Sequence, residues 1–522
     1  MAGSVAMSRP PTDADPSARP VVTRGGETTA DGGRRLTWLA VCSLALGAVV
    51  LVSWVFLAVA HVDDRYRLDH VSGTRTALAR YAQEGVLYPE LYDGERYGGT
   101  RFMPLPFVVH GLVSRLVDDY LISGKLLAYA ATLGLLVTMV VALRRVRCPA
   151  SLQVLLPALV LTTPTVLSAS MNLRADVLPL VLQLLAAVLV SGNGGTGPIV
   201  VAGMLTALAL FTKTTALWAP LAIVLWLIFR DRRRLAWFAA SYVGASLAIG
   251  VAFLAASDGR MVENVVGLAT SGVDAGSIVV APYRLIHLLV ADATPAWAML
   301  PIAGVVAWLA VNDRRPTIFV LSLTLALLVL LVVLSDVGTG WNQLIDVVVL
   351  AAIVAGDLAG RVDGRPTGNR VAAMIVGLAL VWITTVGTVV TLLPDVRATI
   401  AGQLDPRPEP LEGLADRDTS ILSEDAYVPV SLGQLPVVLD PFMLLRLSQD
   451  RPGAVDDLIG RIRSRDFELV VLLEPLEPVD RTWWNEQHFG PDVVRAIDDA
   501  YRLAGRVDGY YLYEPRVSPP GS

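Results

Sequence analysis

Ionisable side chains crowd the stretch HVDDRYRLDHVSG, where His61, Asp63, Asp64, Asp69 and His70 follow Leu36–Ala60, a run without charge. Polar residues also gather where other apolar runs stop. Arg174 and Asp176 lie in NLRAD, Lys213 in FTKTTALW, and Tyr283, Arg284 and His287 in APYRLIHLL. Trp341, Asn342 and Asp346 lie in SDVGTGWNQLID. Charges at membrane depth are costly and mark functional sites whose groups have partners. If the helices converge, these residues form one reaction chamber at the edge of the bilayer. Plainer roles stand beside that one. Asp63 and Asp64 can be solvated charges, Asp176 the N-cap of a helix with Pro179 in its first turn, and Arg174 and Lys213 cations snorkelling to lipid phosphate. Asn342 and Asp346, one helical turn apart, can simply bond each other.

The elements that must position these groups follow from composition. Of 522 residues, 54% are hydrophobic and 17% charged, well below the quarter charged in soluble domains. Mean hydropathy is +0.57. Runs long enough to cross a hydrocarbon core recur near 36–60, 121–143, 151–171, 177–191, 198–211, 215–229, 235–256, 295–311, 317–335, 341–359 and 371–393. The chain therefore reads as a polytopic α-helical membrane protein of about eleven spans. The first run ends in AVAH, like a signal-peptidase site, but is too long for a signal peptide and reads as a retained anchor. With the N-terminus inside, the basic clusters at 32–35, 144–147, 230–234, 312–315 and 360–370 all fall on the cytoplasmic side. The stretch RFMPLPFVVHGLVSRLV, 101–117, suits a helix lying in the outer interface. That orientation puts the chemistry-bearing residues outside, with 61–120 as the first external loop.

Residues 1–35 read as a disordered cytoplasmic tail, 36–393 as the transmembrane domain and 394–522 as a small extracytoplasmic α/β domain. In the last, TSILSEDAYVPVSL, FELVVLLEP and GYYLYEP read as strands and GAVDDLIGRIRSR as a helix. Lys125 and Lys213 are the only lysines among 42 basic residues, the mark of a GC-rich bacterial genome. A net charge of −5 gives no sign of nucleic acid. Cys42 and Cys148 are placed too differently for a disulfide, and no phosphate loop, nucleophile elbow or zinc pattern occurs.

The segments DHVSGTRTALARYAQEGVLYPELY and RFMPLPFVVHG, with RADVLPLVLQLLA further on, resemble the GT-C glycosyltransferases that use polyprenyl-phosphate sugars. The likeness is to the aminoarabinose transferase and protein O-mannosyltransferase group. It covers about residues 36–393. It implies that Asp69 is the catalytic acidic residue, with Gly85 and Tyr88 closing its motif, and that Asp176 is a second acidic position. His70 stands where the family often has another acid, which keeps Asp64 as a substitute for Asp69. The implied chemistry is inverting transfer at the outer leaflet of the cytoplasmic membrane. A carboxylate takes the proton of an acceptor hydroxyl, and Arg174, Lys213 or Arg284 meets the leaving phosphate. His70, Tyr88, Tyr283, His287, Asn342 and Asp346 would line the substrate. The implied partners are the bilayer, a polyprenyl-phosphate-linked sugar and an envelope glycan, lipid or protein acceptor. No cofactor is required, and a divalent metal, Mg or Mn, on Asp69 and Asp176 is left open. A transporter or lipid flippase would need mid-span charges and internal repeats, which are scarce here; an inactive envelope scaffold would keep the fold without the chemistry.

Overall fold

The computed structural model describes residues 28–192, 194–268, 275–291, 304, 317–336, 339–363, 370–404, 419–477, 483–484, 488–507 and 509–516. Among them five helices are long and apolar enough to cross a membrane: Trp38–Ala60, Tyr120–Arg145, Arg232–Ala256, Asn342–Arg361 and Met374–Ile400. Shorter apolar helices, among them Val177–Ser191, Thr196–Thr212, Trp218–Ile228 and Ile318–Val333, lie between them. The expected run at 295–311 lies outside the described residues apart from Gly304.

The first ten helices carry most of the site and are named α1 (Thr28–Ala60), α2 (His70–Gln83), α3 (Pro104–Val117), α4 (Tyr120–Arg145) and α5 (Ala150–Leu161). They continue as α6 (Pro164–Met171), α7 (Val177–Ser191), α8 (Thr196–Thr212), α9 (Trp218–Ile228) and α10 (Arg232–Ala256). Helices α1, α4, α5 and α7 share one apolar core with Ile318–Val333 and Ile345–Asp363, in which Leu135, Leu159, Leu184 and Ile353 are fully buried. By contrast α10 buries only Phe238, as a helix turned toward lipid does.

Two sequence expectations need correction. The run 151–171 is not one straight span: α5 and α6 are bent by 78°. Thr163 accepts from Val166 N–H as N-cap and Pro164 opens α6, so the chain restarts a helix instead of continuing one. TSILSEDAYVPVSL is strand only over Ile421–Ser423 and turns at Asp425 into the helix Tyr427–Ser431. The 101–117 segment is the helix α3, with prolines in its first turn. At about 1.5 Å per residue it is too short to span the bilayer.

The C-terminal residues form a four-stranded sheet, β1 (Ile421–Ser423), β2 (Leu469–Leu472), β3 (Tyr501–Val507) and β4 (Tyr510–Pro515), in the order β1-β2-β4-β3. The β1–β2 pair is parallel and the others antiparallel. Leu422, Leu458, Ile462, Phe467, Val470 and Ile497 build its own core. Between this unit and the membrane helices runs α2, buried along most of its length. Gly111 lets α3 approach it closely: a Cβ there would stand 2.6 Å from the Ala79 carbonyl oxygen. On the other side Arg80 donates to the carbonyls of Gly433 and Gln434.

Candidate active site

Asp69 ends the loop after α1 and caps α2. Its Oδ1 accepts from the Ser72 N–H and Oγ–H at 3.0 and 3.1 Å, satisfying an N-terminal amide. Its Oδ2 is left for Arg174 Nη1 at 2.8 Å, and the side chain keeps 28% exposure. Arg174 comes from the joint between α6 and α7. There Ala175 takes a left-handed φ of 56°, and the Asn172 Oδ1 accepts from the Arg174 N–H at 2.9 Å. The same turn presents Asp176, which stands before α7 but bonds none of its amides. It is therefore not a side-chain cap. Its Oδ1 accepts from Lys213 Nζ at 2.8 Å and Asn342 Nδ2 at 3.1 Å, while Arg174 Nε lies 3.6 Å from Oδ2. Lys213 terminates α8, and Asn342 sits in the 3-10 turn Trp341–Leu344, at the start of the span Asn342–Arg361.

Five residues singled out by sequence thus converge from four places in the chain: Asp69, Arg174, Asp176, Lys213 and Asn342. Each sits at or beside a helix end, where backbone geometry lets a polar side chain project without breaking an apolar face. Burial pushes the Asp176 carboxyl up, but Lys213, Arg174 and Arg75 outweigh it and hold it below the usual carboxylate range. Most of these groups open into a polar cavity of about 270 Å³, also lined by Arg101, Asp336, Thr215 and Gln343. Arg101 Nη1 meets Asp336 Oδ2 at 3.0 Å.

Arg75, which sequence reading passed over, faces this cavity from α2. It is 7% exposed, and its Nε and Nη1 have no hydrogen-bond partner among the described residues. The Phe102 ring lies 4.6 Å from its guanidinium carbon. Burial pushes the guanidinium down to about 10, so it stays charged at neutral pH. Arg75 also lines a second cavity of about 310 Å³ between α3, α4 and α7, otherwise largely apolar, with Phe107, Leu127, Gly134 and Val181 in its wall. The buried Asn172 Nδ2, likewise without a partner, shares that wall. An unpaired buried cation is unfavourable. Placed between a polar chamber and an apolar slot, it suits an anion that carries an apolar chain.

The other expected site residues go elsewhere. Asp64 is buried with His61, whose Nδ1 lies 2.5 Å from its Oδ2, and with Lys125 at 3.5 Å. This closed cluster is apart from the chamber lining. The Tyr88 hydroxyl donates to the Phe102 carbonyl, and the residue is wholly buried. His70 packs against His488 and Trp483 of the C-terminal unit. There burial, with His488 beside it, pushes its imidazole down to about 3. Arg284 donates to the Leu334 carbonyl. Tyr283 is 68% exposed and its ring neighbours His287, 6.4 Å away between centroids. Asn342 pairs with Asp176 and not with Asp346, which begins the next helix outside the chamber lining.

Asp69 and Asp176 are each taken up by a cation of the chain, and no three potential ligands converge among the described residues.

No family model and no curated protein matches this sequence. Among solved structures the chain is similar to ArnT from Cupriavidus metallidurans in the apo state, at 15% identity and a TM-score of 0.56, over 93% of this chain and 98% of that one. The same enzyme bound to undecaprenyl phosphate aligns at 13% identity and 0.56, over 90% and 97%. The Archaeoglobus fulgidus oligosaccharyltransferase aligns at 11% identity and 0.53, over 91% of this chain and 73% of that one. At such identities the likeness is one of fold, and it spans nearly the whole chain: this protein shares the fold of ArnT and of the Archaeoglobus fulgidus oligosaccharyltransferase.

Proposed function

We propose that the protein is a glycosyltransferase that moves a sugar from a polyprenyl phosphate to an envelope glycan, lipid or protein at the outer face of the cytoplasmic membrane. Its N-terminus is then cytoplasmic, about eleven spans form residues 36–393, and the C-terminal α/β unit is extracytoplasmic. Similar folds support this reading, since ArnT is seen with undecaprenyl phosphate and the Archaeoglobus fulgidus oligosaccharyltransferase with a dolichol-phosphate and an inhibitory peptide. The observation that carries it is the chamber itself. A partly exposed carboxylate, Asp69, pairs with Arg174, which lines the chamber together with Lys213 and Arg75, whose Nε and Nη1 lack a hydrogen-bond partner among the described residues, and an apolar slot lies behind Arg75.

In the reaction the acceptor hydroxyl gives its proton to Asp69 as its oxygen bonds the anomeric carbon. The bond from that carbon to the phosphate oxygen breaks, and its electron pair leaves with the carrier phosphate. Arg75, Arg174 and Lys213 stabilise the charge that grows there. Attack opposite the leaving group inverts the anomeric centre. Asp176 orders Arg174, Lys213 and Asn342. The charges of this chamber sit at helix ends or, for Arg75, in the short α2, not at mid-span, which favours an enzyme over a carrier.

The test is transfer by purified, lipid-reconstituted protein from a panel of radiolabelled polyprenyl-phosphate sugars to envelope extract. Label should pass from one donor to the extract. Retention of label on every donor, with folded protein and competent extract, would overturn the reading.

A further inference from the structure

Asp425 follows β1 in the C-terminal unit, and its carboxylate is 1% exposed. Oδ2 accepts from Arg65 Nη2 at 2.7 Å and from the Tyr510 hydroxyl at 2.6 Å, and Oδ1 from the Tyr427 N–H at 2.9 Å. Arg65 belongs to the loop that leads to Asp69. Its guanidinium carbon lies 5.0 Å from the Tyr427 ring and 4.7 Å from the Tyr510 ring. Just beyond Asp69, the α2 backbone rests on the same carboxylate: a Cβ on Gly73 would stand 1.9 Å from Asp425 Oδ1. His70 is held beside it, its ring 4.6 Å from that of His488. His488 in turn stacks on Trp483 at 4.1 Å and faces Glu424 at 2.7 Å. Asp69 therefore lies between two grips of the C-terminal unit, Arg65 before it and His70–Gly73 after it. Its own hydrogen bonds go to Ser72 and Arg174.

We propose that Asp425 is a positioning residue for transfer: through Arg65 and Gly73, the C-terminal unit fixes the first turn of α2 and so aims Asp69 into the chamber. The proposal rests on Asp69 being the reacting carboxylate. A buried ion pair adds little net stability over apolar packing, and its best-attested use is to fix geometry. Geometry is what a base needs, since a displacement of about 1 Å costs on the order of a hundredfold in rate. The C-terminal unit is then part of the catalytic apparatus, not an appended acceptor-binding module.

The experiment uses the reconstituted full chain, with Asp425→Asn, Arg65→Gln and the double variant, measuring kcat, donor KM and amide hydrogen exchange over 70–76. Asp425→Asn should lower kcat by about ten- to a hundredfold with donor KM within about twofold. The double variant should be no worse than the weaker single one, because both break one contact. Exchange in the first turns of α2 should quicken while β2 and β4 stay protected. A kcat within about twofold of wild type, or losses that add in the double variant, would overturn the proposal. If Asp425→Asn does not fold, Gly73→Ala strains the same contact from the α2 side and should lower kcat alike; unchanged kcat there overturns it. Should wild type transfer from no donor, the reading of Asp69 fails separately. Exchange still decides the grip, and unchanged α2 protection in Asp425→Asn or Gly73→Ala overturns it.

Discussion

Asp176 and Arg75 are both buried and charged, yet they differ in kind, because only the first is paired. Replacing Asp176 by Asn leaves Lys213 and Arg174 without their shared carboxylate. Breaking a buried pair costs about 3–5 kcal/mol. The low end applies here, since both cations keep 18% exposure. The Asp176 carboxyl lies below its ordinary value in the folded protein. Its stabilisation is therefore full above the unfolded value, near about 4, and is lost as pH falls through the lower folded value. The unfolding midpoint of Asp176→Asn should trail wild type at pH 7, with the gap closing only below about pH 4. A gap that closes between pH 5 and 7 would contradict this. Arg75→Met should behave differently. Removing a buried cation whose Nε and Nη1 lack hydrogen bonds, at similar volume, should leave thermal stability close to wild type. Donor KM should rise by about tenfold or more, the weight of one charge-assisted phosphate contact. Lower stability with unchanged KM would show that Arg75 is structural.

Elements decide which of these residues sequence could reveal. Asp69, Arg174, Asp176, Lys213 and Asn342 all flank helix ends, so polar residues interrupting apolar runs located them, and their shared side followed from the basic loops. Arg75 lies inside α2, among Ser, Thr and Ala, where one arginine reads as a solvated face. Only tertiary packing buries it, with the Phe102 ring over its guanidinium and the walls of both cavities around it. Arg101 and Asp336 were missed because their pairing joins segments far apart in the chain. Asp64 was drawn in by its neighbours, although Lys125 on α4 claims it. The bend between α5 and α6 escaped because apolarity runs across it and hydropathy does not register a Thr-Thr-Pro restart. The slot between α3, α4 and α7 exists because α4 presents Gly124, Ala128, Ala131 and Gly134 there. A Cβ on Gly134 would meet Val181 Cγ1 at 3.5 Å, ordinary contact, so Gly134→Ala should be silent. Gly134→Phe fills the slot and should raise KM for long-chain polyprenyl donors while sparing a short-chain analogue. Equal effects on both donors would place the chain elsewhere.

At the scale of the whole molecule, the ends of the apolar helices supply Arg174, Lys213 and Asp176, while α2 brings Asp69 and Arg75. The C-terminal sheet closes over α2 from the other side. Reading the sequence located the apolar helices and the strands β1, β2 and β4, and passed over β3. It could not tell how the C-terminal unit docks, because Arg65–Asp425 and His70–His488 bring together residues with no local pattern. The two carboxylates after the first span, Asp64 and Asp69, look alike in sequence, and the fold separates them: one is sealed in an ion cluster, the other stays partly exposed and pairs with Arg174 of the chamber lining. The most direct measurement is single-turnover transfer by wild type and Asp69→Asn in the same reconstituted membranes. Asp69→Asn should lose on the order of a hundredfold to ten-thousandfold in rate, with donor binding retained. Transfer at close to the wild-type rate would contradict Asp69 as the base and move the chemistry to another carboxylate.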